Sequence, residues 1–103
     1  MSSPNPLWGA HVAVNRTLPA AEGSPGGDPF LPEQALSLPV VLAAYTSGSA
    51  WVNGLDGVTG GIREGLDADF AIVDADLAHI PAGEIGEASV TQTWIRGQLV
   101  HQR

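Results

Sequence analysis

In Gly60-Gly61-Ile62-Arg63-Glu64-Gly65-Leu66-Asp67-Ala68-Asp69-Phe70-Ala71-Ile72-Val73-Asp74, two glycine turns run into a short apolar strand closed at both ends by carboxylates. The run Phe70-Ala71-Ile72-Val73 is continuously apolar, which predicts a strand covered on both faces. Asp69 and Asp74 mark its ends. No nucleophile here has a base beside it. Downstream, Ser89 to Arg96 alternates Val90, Gln92 and Trp94 against Thr91, Thr93 and Ile95 and is rich in β-formers. Gly97-Gln98 suits a two-residue turn with glycine first, and Leu99-Val100-His101 returns as the partner strand. Between these strands, Ala75 to Gly86 reads as a polar connection broken by Pro81 and Gly83.

Upstream the period is helical. Leu38, Val41, Leu42 and Tyr45 fall at i, i+3, i+4 and i+7 and form one apolar stripe. Ser37 is placed to cap this helix, with Pro39 in its first turn. Gly48 interrupts the stripe, and Ala50 to Leu55 adds a short turn that stops at Gly54. Pro32-Glu33-Gln34-Ala35 reads as one helical turn. Ser2 to Pro6 is extended or turned, and Leu7 to Val14 allows about two helical turns. Thr17 to Pro29 is a loop containing Ser24-Pro25-Gly26-Gly27-Asp28-Pro29. Helices first and strands second is an α+β order. The expected core is Leu38, Val41, Leu42, Tyr45, Trp51, Ile62, Phe70, Ile72, Val90, Trp94, Ile95 and Val100.

The chain has 103 residues, one small domain's worth, and 44% of them are hydrophobic, as in a globular protein. At this size roughly 65% of the unfolded surface is buried on folding. Eleven carboxylates against four arginines and no lysine give a net charge of −7. That field repels phosphate backbones and anionic lipid, so nucleic acid and membrane surfaces are not expected partners. Cysteine is absent, which removes disulfides and thiolate zinc sites and fits a reducing compartment. The N-terminus has no basic region followed by an apolar run, so no signal peptide is read and the expected location is cytoplasmic. The longest apolar run, Leu38 to Tyr45, falls far short of the roughly 20 residues that span a bilayer.

Several motifs invite chemistry and lose to plainer readings. Asp67, Asp69, Asp74 and Asp76 could suggest a calcium loop, but they straddle a strand and lack the loop's glycine and terminal glutamate. Gly54, Gly57, Gly60, Gly61 and Gly65 precede a strand instead of opening a helix, and no Gly-Lys-Ser/Thr follows, so turn geometry outranks phosphate binding. Ser47-Gly48-Ser49 follows a helix and is a helical break, not a nucleophile elbow. Trp8, Trp51 and Trp94 read as core anchors, with ligand stacking the lesser reading for Trp94. His11, His79 and His101 are isolated, and His11 reads as a polar surface or core residue.

Certain pieces, taken in order, resemble the C-terminal end of the metal-dependent amidohydrolase superfamily. They are Ser3-Pro4-Asn5-Pro6-Leu7 with Ala13-Val14-Asn15-Arg16, and Leu31-Pro32-Glu33-Gln34-Ala35-Leu36. Ala43-Ala44-Tyr45-Thr46-Ser47-Gly48-Ser49-Ala50, the stretch Gly61 to Asp74, and Val90 to Val100 complete the set. The branch they resemble is that of the N-substituted formamide deformylases and related amidohydrolases. The resemblance implies that residues 1–56 correspond to the last loop and helix of a TIM barrel, and 57–103 to part of a composite β-sandwich, folded together as one unit. It implies a divalent metal, zinc foremost, in the parent enzyme, and a metal-ligating aspartate immediately upstream of Ser2.

No catalytic, cofactor-binding or metal-ligating residue is assigned to the chain itself. Lysine is missing, no His-x-His pair occurs, and a catalytic zinc needs three protein ligands and an open position. Whether the chain is an enzyme is therefore left open, and hydrolysis by it alone is not expected. Two roles follow. One is a C-terminal structural segment of a hydrolase acting on non-peptide carbon–nitrogen bonds, with the remainder of the barrel as partner. The other is a free-standing oligomerising or binding module, a dimer by strand exchange, derived from such a C-terminus.

Overall fold

A computed structural model describes residues 4–19 and 28–103. Its elements are α1 (Pro6–Asn15), a 3-10 turn (Pro32–Gln34), α2 (Leu38–Ala43), a π-helical turn (Ala44–Gly48), α3 (Ser49–Val52), β1 (Phe70–Val73), a 3-10 helix (Ala82–Glu87), β2 (Val90–Ile95) and β3 (Gln98–Gln102). The class is α+β, with three α-helices and a three-stranded antiparallel sheet among the described residues. Readings that fall on Ser2, Ser3 and the Ser24-Pro25-Gly26-Gly27 loop lie outside the described residues. The chain divides into two compact units: Met1–Val41 with Ala75–Ser89, and Leu42–Asp74 with Val90–Arg103.

In the first unit, α1 begins where Asn5 accepts the Leu7 N–H on its side chain at 3.0 Å and Pro6 takes the first helical position. Both features satisfy or remove donors that a helix start leaves unpaired. The helix is therefore firmer than its sequence alone indicates, and Pro6 lies inside it. It ends at Arg16, which adopts the left-handed conformation with φ of 59° and donates its N–H to the Val12 carbonyl. Arg16 also donates Nε–H to the Phe30 carbonyl at 2.9 Å, with its guanidinium 5.9 Å from the Phe30 ring centroid.

The buried face of α1 carries Leu7, Ala10 and His11. The 3-10 helix Ala82–Glu87 packs against it and brings in Ile85, only 1% exposed. This corrects the reading of Ala75 to Gly86 as a plain polar connection. Ile85 is a single apolar residue between Glu84 and Gly86, too short a pattern to show a period. Ala10, Val41 and Ile85 make the core of this unit, with Ala13, Val14 and Leu38 packed around it. Gly86 is enclosed at close range: a Cβ there would lie 2.7 Å from the Pro19 Cβ.

In the second unit the helix does not stop at Gly48. Ala44–Gly48 winds as a π turn and Ser49–Val52 continues as α-helix, ending at Asn53 and Gly54. The extra residue in a π turn rotates all that follows by about 100°, so the stripe expected from a 3.6-residue period is broken. Gly60, at φ of 96°, crosses this helix so closely that a Cβ would stand 2.6 Å from the Ala50 Cβ.

The sheet has the order β1-β2-β3. Phe70 pairs with Trp94 across the ladder, and their rings stack with centroids 5.8 Å apart. β1 is an edge strand whose Ala71 and Ile72 are exposed, which corrects the expectation of a strand covered on both faces. The hairpin turn is Arg96-Gly97, both at positive φ (51° and 76°), one residue earlier than the expected Gly97-Gln98. Two consecutive positive φ values are the signature of a type I′ turn, whose twist matches that of the flanking strands.

Of the expected core, Val41 is buried, while Leu38, Phe70, Val90 and Trp94 are partly buried. Leu42, Tyr45, Trp51, Ile62, Ile72, Ile95 and Val100 are exposed, Trp51 at 71% and Ile62 at 88%. The broken stripe accounts for Tyr45, and the edge position of β1 for Ile72.

Truncating Ile85 to alanine is expected to cost about 2–5 kcal/mol in urea unfolding. Trp51→Ala in the same chain should change stability by no more than about 0.5 kcal/mol. The reverse order would place the core elsewhere. Gly86→Ala should cost about 1–3 kcal/mol by overpacking against Pro19.

Candidate functional site

The residues with chemistry to offer are three histidines and the carboxylates, and the fold gives each a separate task. His11 lies on the buried face of α1, 4% exposed, and its Nδ1 accepts the Gly86 N–H at 3.0 Å. The ring is therefore neutral, with its proton on Nε2. Loss of water around it holds the imidazole below its ordinary value, against an upward pull from Glu87. One helical turn before it, Trp8 donates Nε1–H to the Gly86 carbonyl, also at 3.0 Å. Asn15 donates Nδ2–H to the Ala82 carbonyl at 2.8 Å. Three side chains of α1 thus grip the backbone of the 3-10 helix. Sequence reasoning missed this arrangement. The spacing of Trp8, His11 and Asn15, at i, i+3 and i+7, was the available signal.

His79 sits in an exposed turn, its Nδ1 2.6 Å from Asp76 Oδ2. His101 stands on β3 opposite Thr93 and is exposed. Among the described residues, no three His, Asp or Glu side chains come together in a way that could hold a metal ion.

The second unit contains an open hollow of about 490 Å³, lined by Leu55, Val58, Thr59, Asp67, Asp69, Ile95, Arg96, Gln98 and Val100. Asp69 is its polar centre. Its Oδ1 accepts the Arg96 N–H and its Oδ2 accepts the Thr59 hydroxyl, each at 2.8 Å. The Arg96 backbone donor first, and the Thr59 hydroxyl second, hold the carboxyl below its ordinary value. The Gly97 N–H donates to the Ala68 carbonyl and the Asp67 N–H to the Val58 carbonyl, so residues 67–69 are stitched to a turn on either side. Arg96 and Asp67 approach to 3.9 Å, and Arg103 and Asp74 to 3.6 Å. The carboxylates bracketing β1 therefore fasten turns and chain ends.

The remaining motifs resolve in the same way. Ser47 and Thr46 donate their hydroxyls back to the helix carbonyls of Ala43 and Leu42. Gly60 and Gly65 hold turns at φ of 96° and 95°. Trp94 stacks on Phe70 and donates its Nε1–H to Gln92 at 3.0 Å. No helix among the described residues is long and apolar enough to cross a membrane.

Comparison with known proteins gives these observations a setting. Residues 1–101 match the model of a family described as the amidohydrolase family. YtcJ of Bacillus subtilis (strain 168), which carries an amidohydrolase name, is 28% identical over 99 residues, 96% of this chain and 18% of its own length. The N-substituted formamide deformylase of Arthrobacter pascens is 30% identical over 77 residues, covering 75% of this chain and 14% of that protein. The imidazolonepropionase of Bdellovibrio bacteriovorus is 37% identical over 68 residues, covering 66% of this chain and 16% of that protein. The chain thus spans less than a fifth of the length of these relatives. No solved structure matches it significantly.

Replacing Asp69 by alanine is expected to lower the melting temperature at pH 7. Because the folded carboxyl titrates below its ordinary 3.8, its stabilisation is present above that pH and lost as pH falls through the folded value. The melting-temperature gap between parent and variant should therefore narrow under acid. A gap that is constant down to full protonation would remove the charge from the explanation.

Proposed function

The chain belongs to the amidohydrolase family, and from that premise we propose that it is the C-terminal structural segment of a larger hydrolase. The parent would be a metal-dependent enzyme of non-peptide carbon–nitrogen bonds, with amides and formamides as substrate class. The formamide deformylase among the relatives supports that class. Residues 1–56 would close the end of a TIM barrel, and residues 57–103 would add strands to a composite β-sandwich. The remainder of the barrel is the partner, and the cytoplasm is the proposed location.

One observation carries the reading: Trp51, Val52 and Ile62 stand 71%, 75% and 88% exposed, while the buried apolar residues among those described are Leu7, Ala10, Val41, Ala50, Ile85 and Ala88. Large apolar side chains left this exposed are ones that the remainder of a larger enzyme would cover. The family's metal does not fit the residues present. The donor chemistry needs three converging nitrogen or oxygen ligands, and among the described residues no three His, Asp or Glu side chains come together, while His11, His79 and Asp69 are each engaged separately. In the parent, the metal would activate water and polarise the carbonyl. No step of that chemistry is assigned to side chains of this chain, whose task is to complete and hold the scaffold.

A second reading is favoured by β3. All five residues from Gln98 to Gln102 are exposed, on an edge strand of the sheet. Such an edge can pair with a second copy, making the chain a free-standing oligomerising module.

Elemental analysis and sizing chromatography of the purified chain separate these possibilities. The segment reading predicts no stoichiometric metal and no closed, stable oligomer. One divalent metal ion per chain would overturn it, and a discrete metal-free dimer would favour the second reading.

A further inference from the structure

His11 is the one described histidine that is buried, and it is spent on a contact that only its neutral form can make. Its Nδ1 accepts the N–H of Gly86, a residue 75 positions away, while Trp8 holds the carbonyl of the same residue. Both hydrogen bonds measure 3.0 Å. The Gly86 N–H lies in a helix of the 3-10 type, where the backbone offers few alternatives, and the site is closed on the far side by Pro19. We propose that His11 is a proton-operated latch: protonation at Nδ1 sets two donors against each other and releases the Ala82–Glu87 helix from α1.

The surroundings set the direction. At 4% exposure a protonated ring here would have little contact with water, and among the described residues no carboxylate is hydrogen-bonded to it. Glu87, on the released helix, is the charge that acts on His11, and Glu84 precedes it by one turn. α1 itself carries no acidic residue in its first turn and no basic residue in its last; Arg16, which caps it, is turned to the Phe30 carbonyl. From the other packed elements come Pro19, Leu38 and Val41, all uncharged. Glu87 pulls the ring's proton affinity up, but loss of water around the ring outweighs it, so the closed state prefers the neutral ring. A histidine that titrates lower in the closed state than its ordinary 6.5 stabilises closure fully above that pH. Closure weakens as pH falls below it. The window is the mildly acidic range, where ordinary carboxylates stay ionised.

Hydrogen–deuterium exchange tests this in the whole polypeptide that contains these residues, comparing a peptide spanning Ala82 to Ala88 with one from β2. Corrected for intrinsic exchange, protection of the first peptide should fall by up to about tenfold between pH 7.5 and 5.5, while β2 stays level. In His11→Asn, the amide oxygen replaces Nδ1 as acceptor without titrating, so protection should stay level with pH. In His11→Phe it should be low at both pH values. A pH-independent parent, or a His11→Asn protein that follows the parent's fall, overturns the latch. Should a variant fail to fold, the titration of the His11 ring by NMR in the parent decides alone: a midpoint at or above 6.5 contradicts the proposal.

Discussion

One backbone residue, Gly86, is gripped from both sides: its N–H by His11 and its carbonyl by Trp8, both on α1. The packing of the Ala82–Glu87 helix on α1 follows from that contact. It seats Ile85 between Ala10 and Val41, it requires glycine because Pro19 closes the remaining space, and it fixes the tautomer of His11. Buried backbone groups cost free energy when unpaired, so a short 3-10 helix can enter a core only if another element supplies partners. The three polar side chains of α1 do so. Among the described residues, no buried side-chain nitrogen or oxygen lacks a partner.

The second unit applies the same device with different residues. Asp69 accepts from a backbone N–H at a hairpin turn and from a hydroxyl on a neighbouring loop, and residues 67 and 68 complete the stitching through their own backbones. In both units side-chain-to-backbone hydrogen bonds fasten elements, while many large apolar side chains, Leu36, Trp51 and Ile62 among them, stay exposed. Net hydrogen-bond contributions of about 1 kcal/mol each make such fastening effective locally but modest in sum. A chain built this way gains much from a surface that covers Trp51, Val52 and Ile62. In the proposed reading, the remainder of the parent enzyme supplies that surface.

The order of helices and strands was legible because it rests on local signals. Phe70 to Val73 and Val90 to Ile95 show β-forming composition, Leu38 begins a helix after Ser37, and Gly54 ends one. The capped start of α1 was also written in Asn5-Pro6, though its length hid it. The core was not legible, for two reasons. A π turn at Ala44–Gly48 broke a stripe that a 3.6-residue period makes look continuous, and Ile85 has no periodic neighbours to announce its burial. The hairpin turn was displaced by one residue because Arg96 adopts a positive φ that its side chain does not advertise. For the site, sequence showed isolated histidines and bracketing carboxylates; only the fold showed that His11 and Asp69 are tied to backbone groups far along the chain.

The proposed division of labour places scaffold in these residues and the metal centre in the rest of the parent polypeptide. The most direct measurement splits that parent. The chain and the remaining barrel are purified separately and mixed, and hydrolysis of a formamide substrate is followed with and without a chelator. Chelator-sensitive turnover that appears only on mixing, together with loss of apolar-dye binding by the chain, is the predicted result. Metal-dependent turnover by the chain alone, or full activity of the barrel without it, would contradict the assignment.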